Sequence, residues 1–211
     1  MPKNPSPTLA QYSTLDAAFD FFNRKLFGGT LPHCLIVFEQ KGNRTVGYYA
    51  KGRWQTRDGQ GSLDEIAINP FFMRGRSDKE IISTLVHEMA HLWQCTFGKP
   101  SRGGYHNKQW ALKMDEVGLV PSHTGEPGGK RTGQNMTHYI QAGGAFDKAW
   151  AEFAKAGHSF AWVRLLEADD KKTGTDKNKV KYSCPSCDLN VWAKPGVHVR
   201  CGDCDEVLLA E

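Results

Sequence analysis

The sequence predicts an α+β core followed by a small, metal-stapled C-terminal module, and three observations carry that expectation. Helix-period, strand-period and again helix-period patterns follow one another from Ser13 to Lys155, the element order of the α+β class. His87, Glu88 and His91 lie inside one strongly apolar helical stretch. Cys184, Cys187, Cys201 and Cys204 form two Cys-x-x-Cys pairs with 13 residues between them, a spacing at which four thiolates close a structural zinc site.

Bulk properties narrow the class. A chain of 211 residues can bury one good core and carry one small appended module. The net charge of +4 excludes a polycationic tail, and residues 61–98 are the acidic exception between two mildly basic stretches, so any anion-binding patch should lie away from them. There is no apolar run of membrane-spanning length, and Met1–Ala10 is a Pro-rich polar lead without an apolar signal core. The expectation is no membrane association and a cytoplasmic location. A reducing compartment would preserve the paired cysteines for a metal; Cys34 and Cys95, each in apolar company, read as buried inert thiols.

The elements follow in order. Leu15, Ala18, Phe19, Phe22 and Leu26 recur at helical spacing before Gly28-Gly29, which predicts an amphipathic helix over Ser13–Phe27. Cys34–Phe38, Thr45–Trp54 and Leu63–Ile68 read as three strands of a small, mostly antiparallel sheet. Ser77 stands three residues before Glu80 at capping-box spacing and Gly98 follows the last apolar residue, so the central helix should run for about six turns between them. Its apolar residues leave one polar stripe of Thr84, His87, Glu88, His91 and Cys95, and a polar stripe on so apolar a helix needs a reason.

Chemistry offers a metal. Histidines four apart project from one helix face about 6 Å apart, so two imidazole nitrogens can converge on one zinc. Glu88 lies beside them and can take a proton from water at the metal without occupying a coordination site. A hydrolytic zinc normally has three protein ligands, and His106 is the candidate third. It follows a glycine-rich return loop and precedes a second helical pattern, Gln109–Val117, closed by Gly118.

His87-Glu88-Met89-Ala90-His91, followed by Gly104-Tyr105-His106-Asn107, Trp110 and Gly118-Leu119, resembles the SprT/Spartan family of zinc metalloproteases. Phe22-Asn23, Leu26-Phe27, Gly29-Thr30-Leu31-Pro32 and Ile66-Ala67-Ile68-Asn69 are similar to the same family's opening helix and strands, so the likeness spans residues 13–120. It implies a minimal zincin-like metallopeptidase core, with His87, His91 and His106 as zinc ligands and Glu88 as catalytic base. It also implies protein substrates, including proteins crosslinked to DNA, and single-stranded DNA as a recruiter or activator.

Pro121–Gly144 reads as a long loop beside the cleft that can present His123, His138 or Tyr139 to a substrate. Ala145–Lys155 reads as a short helix and Phe160–Leu166 as a further strand. The charged stretch 169–181 reads as a linker. The expected organisation is therefore a lead over 1–12, a SprT-like core over 13–168, the linker, and a zinc ribbon over 182–211. Within the ribbon, Trp192, Lys194, His198 and Arg200 could stack on and pair with a nucleic-acid strand, although the segment's charges balance. Two zinc ions are expected, one catalytic and one structural, and Tyr105, His123 and Tyr139 remain equal candidates for a second oxyanion donor. A non-proteolytic, zinc-stabilised DNA-binding or adaptor protein is the rival reading, and a metal hydrolase acting on another bond type fits the same residues. The oligomeric state is left open.

Overall fold

The computed structural model describes residues 6–42, 45–164 and 179–210. The chain divides into two compact units, Met1–Leu165 and Leu166–Glu211. The first unit is α+β, with four α-helices and small sheets among the described residues.

Helix α1 spans Pro7–Leu26, starting six residues before the apolar periodicity does. Ser6 caps it, its hydroxyl accepting from the Leu9 N–H, and Pro7 occupies the first turn, where a missing N–H costs nothing. Strands β1 (Leu35–Phe38), β2 (Gly47–Gln55) and β3 (Ser62–Ile68) form a sheet in the order β1-β3-β2. The sheet is mixed: β1 pairs with β3 in parallel and β2 pairs with β3 antiparallel. The expectation of a mostly antiparallel sheet therefore needs correction, because β3 inserts between the first two strands instead of extending a meander. This leaves β2 at an edge.

Helix α2 spans Asp78–Phe97 with the capping box of Ser77 and Glu80 formed in both directions and Gly98 at its end. It packs against α1, β2 and β3, burying Ile82, Leu85, Val86, Met89 and Leu92 together with Phe19, Phe22, Ile66 and Ile68. Helix α3 (Lys108–Glu116) takes Asn107 as its N-cap, and α4 (Ala145–Lys155) buries Phe146, Ala149 and Phe153 against α1. Between them the supposed loop contains a two-stranded antiparallel sheet, β4 (Leu119–Ser122) with β5 (Thr137–Ile140). Its strands are only four residues long and separated by polar, glycine-rich chain, so periodicity had little to report. The strand expected from Phe160 is not formed over the described residues 160–164; Leu165, Leu166 and linker positions 169–178 lie outside the described residues.

The second unit holds β6 (Val180–Ser183), β7 (Asn190–Ala193) and β8 (Leu209–Ala210) in the order β7-β6-β8. Strand β6 thus begins inside the stretch expected to be linker. Two matched turns follow the two cysteine pairs. Cys184 donates its N–H to the Leu189 carbonyl and accepts from Asp188, while Cys201 donates to Glu206 and accepts from Asp205. Asp188 and Asp205 both sit at φ near +55°, in the left-handed region that lets each turn fold back over its cysteines.

Candidate active site

Helix α2 supplies the floor of the site. On its polar stripe Thr84, His87 and Glu88 are buried and His91 and Cys95 are half-buried, all lining a cleft of ≈ 800 Å³. The opposite wall is Thr45 and Val46 with the start of β2, residues 47–49 and Lys51, and the rim is the 100–106 loop with residues 134–138.

His106 reaches the helix from that loop, and the hydrogen bonds that place it are explicit. Buried Gln94 on α2 donates to Asn107 Oδ1 at 2.7 Å, and Asn107 in turn caps α3 and donates to the Lys99 carbonyl. His106 exchanges backbone hydrogen bonds with Gly133, and its Nδ1 lies 3.2 Å from the Gly133 carbonyl. A carbonyl can only accept, so Nδ1 carries the proton and Nε2 keeps its lone pair. That Nε2 lies 3.1 Å from His91 Nε2.

One nitrogen from each of His87, His91 and His106 falls within 4.8 Å of the others. Zinc bonds of about 2.1 Å in a tetrahedron require nitrogens about 3.4 Å apart, so the three donors fit that ion with small adjustment. The electrostatics agree. Burial first, then the neighbouring histidines, holds His87 well below the usual imidazole range; burial and His106 push His91 down to about 3, and burial lowers His106. All three are therefore neutral at ordinary pH, the state in which an imidazole can bind a metal. Trp110 of α3 packs against all three rings, with centroid separations of 4.9, 5.3 and 4.3 Å, and sets the depth of the cluster. Its Nε1 is buried without a hydrogen-bond partner among the described residues.

Glu88 is outside the triad. Burial alone pushes its carboxyl up to about 8, into the range where a group can both accept and return a proton near neutrality. Gly47 of β2 explains how the wall comes so close: a Cβ there would lie 2.8 Å from Thr84 Cγ2 and 3.3 Å from Glu88 Oε1. The sequence carried a signal for this, since a glycine inside a strand pattern marks close backbone approach.

The other candidates separate. Tyr105 and His123 line the cleft, but His123 Nδ1 already accepts from the Lys130 N–H at 2.8 Å, and Tyr139 is not part of the lining. His138 does not face outward as a loop residue would: its Nδ1 lies 3.1 Å from His87 Nδ1. Cys34 is half-buried, its thiol pushed up to about 12 by burial and by Asp64, which keeps it protonated and inert.

In the second unit the four cysteine sulfurs lie within 4.8 Å of one another, with Cys187 and Cys201 at 3.7 Å. That is far too long for a disulfide and close to the spacing expected of thiolates on a tetrahedral zinc with bonds of about 2.3 Å.

The SprT-like family model matches residues 15–137, which takes in the sheet, α2 and His106. An uncharacterized protein in the mucB 3′ region of Salmonella typhimurium is 45% identical over 60 residues, covering 28% of this chain and 80% of that protein. The match extends over more than half of the sequence, and the chain belongs to the SprT-like family.

Proposed function

We propose that the chain is a zinc-dependent endopeptidase with a zincin-like core, and that one observation above all supports this: a buried Glu88, its carboxyl raised by burial toward the neutral range where it can exchange a proton, beside three convergent histidines. A purely structural site has no use for such a carboxylate and would close its fourth position with protein. His87, His91 and His106 would hold the ion, and a zinc there would supply a Lewis acid for activating water and polarising a carbonyl. Glu88 accepts the proton of the attacking water and returns it to the departing amine.

Peptide, as opposed to another hydrolysable bond, is favoured by the cleft wall. Strand β2 is an edge strand, and its residues Gly47, Tyr48, Tyr49 and Lys51 line the cleft, so its backbone offers donors and acceptors to an extended segment. Such a cleft would take unfolded or locally exposed chain. Proteins bound or crosslinked to DNA as the substrate class, and DNA as activator, follow from the family resemblance. Exposed Trp192 beside Lys194 on the ribbon is compatible with stacking on a single strand.

The test is direct. The zinc-loaded protein is incubated with a DNA-binding protein, with and without single-stranded DNA, and fragments are sought. Cleavage that requires zinc and rises with DNA is expected. Zinc-loaded protein that leaves unfolded and DNA-bound proteins intact would return the rival, a non-proteolytic zinc-stabilised adaptor.

A further inference from the structure

Strand β5 delivers His138 to the side of His87, one residue beyond the stretch matched by the family. Three contacts follow in series. His138 Nδ1 lies 3.1 Å from His87 Nδ1, His138 Nε2 lies 3.0 Å from Ser83 Oγ, and Ser83 Oγ lies 2.9 Å from the Glu80 carbonyl. Their direction is determined by proton counting. The Glu80 carbonyl only accepts, so the single hydroxyl proton of Ser83 is committed to it. Ser83 Oγ must then accept from His138, which places a proton on His138 Nε2 and leaves Nδ1 of the neutral ring as an acceptor. His138 Nδ1 can accept only if His87 carries its proton on Nδ1. His87 Nε2 is consequently a bare lone pair. The reverse direction would leave the proton of His87 on Nε2, where it would block coordination.

We propose that His138 is a positioning residue for the metal: through the chain Glu80, Ser83, His138, it fixes His87 in the one tautomer and ring orientation that offers Nε2 to the ion. This rests on the zinc site proposed above. Gly133 does the same for His106, so two of the three candidate ligands are oriented from the 121–144 region, which periodicity alone marks as loop. His138 does not join the three-histidine group itself, and its role is to support a ligand.

The experiment measures zinc, not cleavage. In the full chain, the zinc lost when His87 and His91 are both changed to Ala defines the histidine-site ion, and its affinity is then read by chelator competition. His138→Ala should weaken that affinity by about 10- to 100-fold. His138→Asn, whose side-chain oxygen can occupy the Nδ1 position and accept from His87, should recover most of it. Ser83→Ala should give a smaller loss. Cobalt substituted at the site should show a shifted visible spectrum in His138→Ala and a near-parental one in His138→Asn, a distinction that mere loosening of the fold would not make. Parental affinity and spectrum in His138→Ala overturn the proposal while leaving the zinc site standing. Complete loss of the ion without rescue by His138→Asn overturns it too, by making His138 a ligand. A parent protein whose zinc content is indifferent to His87 and His91 overturns this inference and the metallopeptidase reading together.

Discussion

The three-histidine cluster of the first unit and the four-cysteine cluster of the second converge at similar spacing, yet the protein around them could hardly differ more. His87 and His91 sit on a helix, and His106 beside a second, that are already anchored by Leu85, Val86, Met89, Leu92, Trp110 and Met114, all fully buried. The cysteines are themselves half of the buried apolar set of their unit, Tyr182, Cys184, Cys201 and Leu208. In the first unit hydrophobic burial holds the fold, so a metal held there would be free to do chemistry. In the second a metal would substitute for a core that so short a segment cannot build. Donor count follows the same division: three histidines leave a position open, whereas four thiolates close the shell.

The largest test of this contrast is to remove the thiolates. Changing Cys184 and Cys201 to Ser should unfold the second unit, because structural zinc contributes about 10–16 kcal/mol of folding free energy in comparable small modules. Loss of the ribbon's amide protection in hydrogen exchange, with the melting transition of the first unit unmoved, is the expected result. A ribbon that remains protected would break the comparison.

Next in size is Glu88→Gln, which addresses the histidine site. Side-chain volume is kept and no proposed ligand is touched, so zinc content should stay near parental while cleavage falls by about 10²- to 10⁴-fold. Zinc lost together with activity would make Glu88 a ligand or a support, and activity retained would place the chemistry elsewhere.

The same variant has a pH signature in metal-stripped protein. The Glu88 carboxyl is raised from 4.5 in the unfolded chain to about 8 in the fold, so the stability it contributes is fully present below 4.5 and is lost as pH rises through 8. Gln cannot ionise and escapes that loss. The melting-temperature advantage of Glu88→Gln over the parent should therefore grow between pH 5 and pH 8, reflecting a cost on the order of a few kcal/mol. A difference independent of pH would mean that the buried carboxyl is solvated after all.

The smallest expected effect is at the wall. Gly47→Ala introduces a methyl 3.0 Å from the Ala67 carbonyl as well as against Thr84 and Glu88, so β2 must withdraw by a few tenths of an ångström. Stability should drop by about 1–3 kcal/mol with zinc retained and the turnover rate reduced, as thermal melts and steady-state kinetics would show. An unchanged rate would separate Gly47 from the alignment of Glu88.

Local signals located much of this. Helix α2 is bounded by Ser77, Glu80 and Gly98, whose capping chemistry is local, and it forms as those residues predict. The β4–β5 pair was not readable because its two short strands find each other across a polar stretch, and such pairing is written in tertiary contacts. His138 shows the consequence. As one histidine in a loop-like segment it had no distinguishing neighbours, and only the register that places it opposite Pro121 turns it toward His87.

What the sequence by itself determined is the donor chemistry and its local geometry. Helical spacing puts His87, Glu88 and His91 on one face, and the Cys-x-x-Cys turns preset the thiolate pairs, because residues three and four apart are held by the backbone alone. What only the tertiary structure decided is which distant groups complete the site. His106 arrives through Gln94 and Asn107, β2 closes over Glu88 at Gly47, and His138 and Gly133 select the tautomers of two histidines. A proton's place on an imidazole ring depends on the acceptor opposite it, and that acceptor lies 27 residues from His106 and 51 from His87, beyond the reach of any local rule.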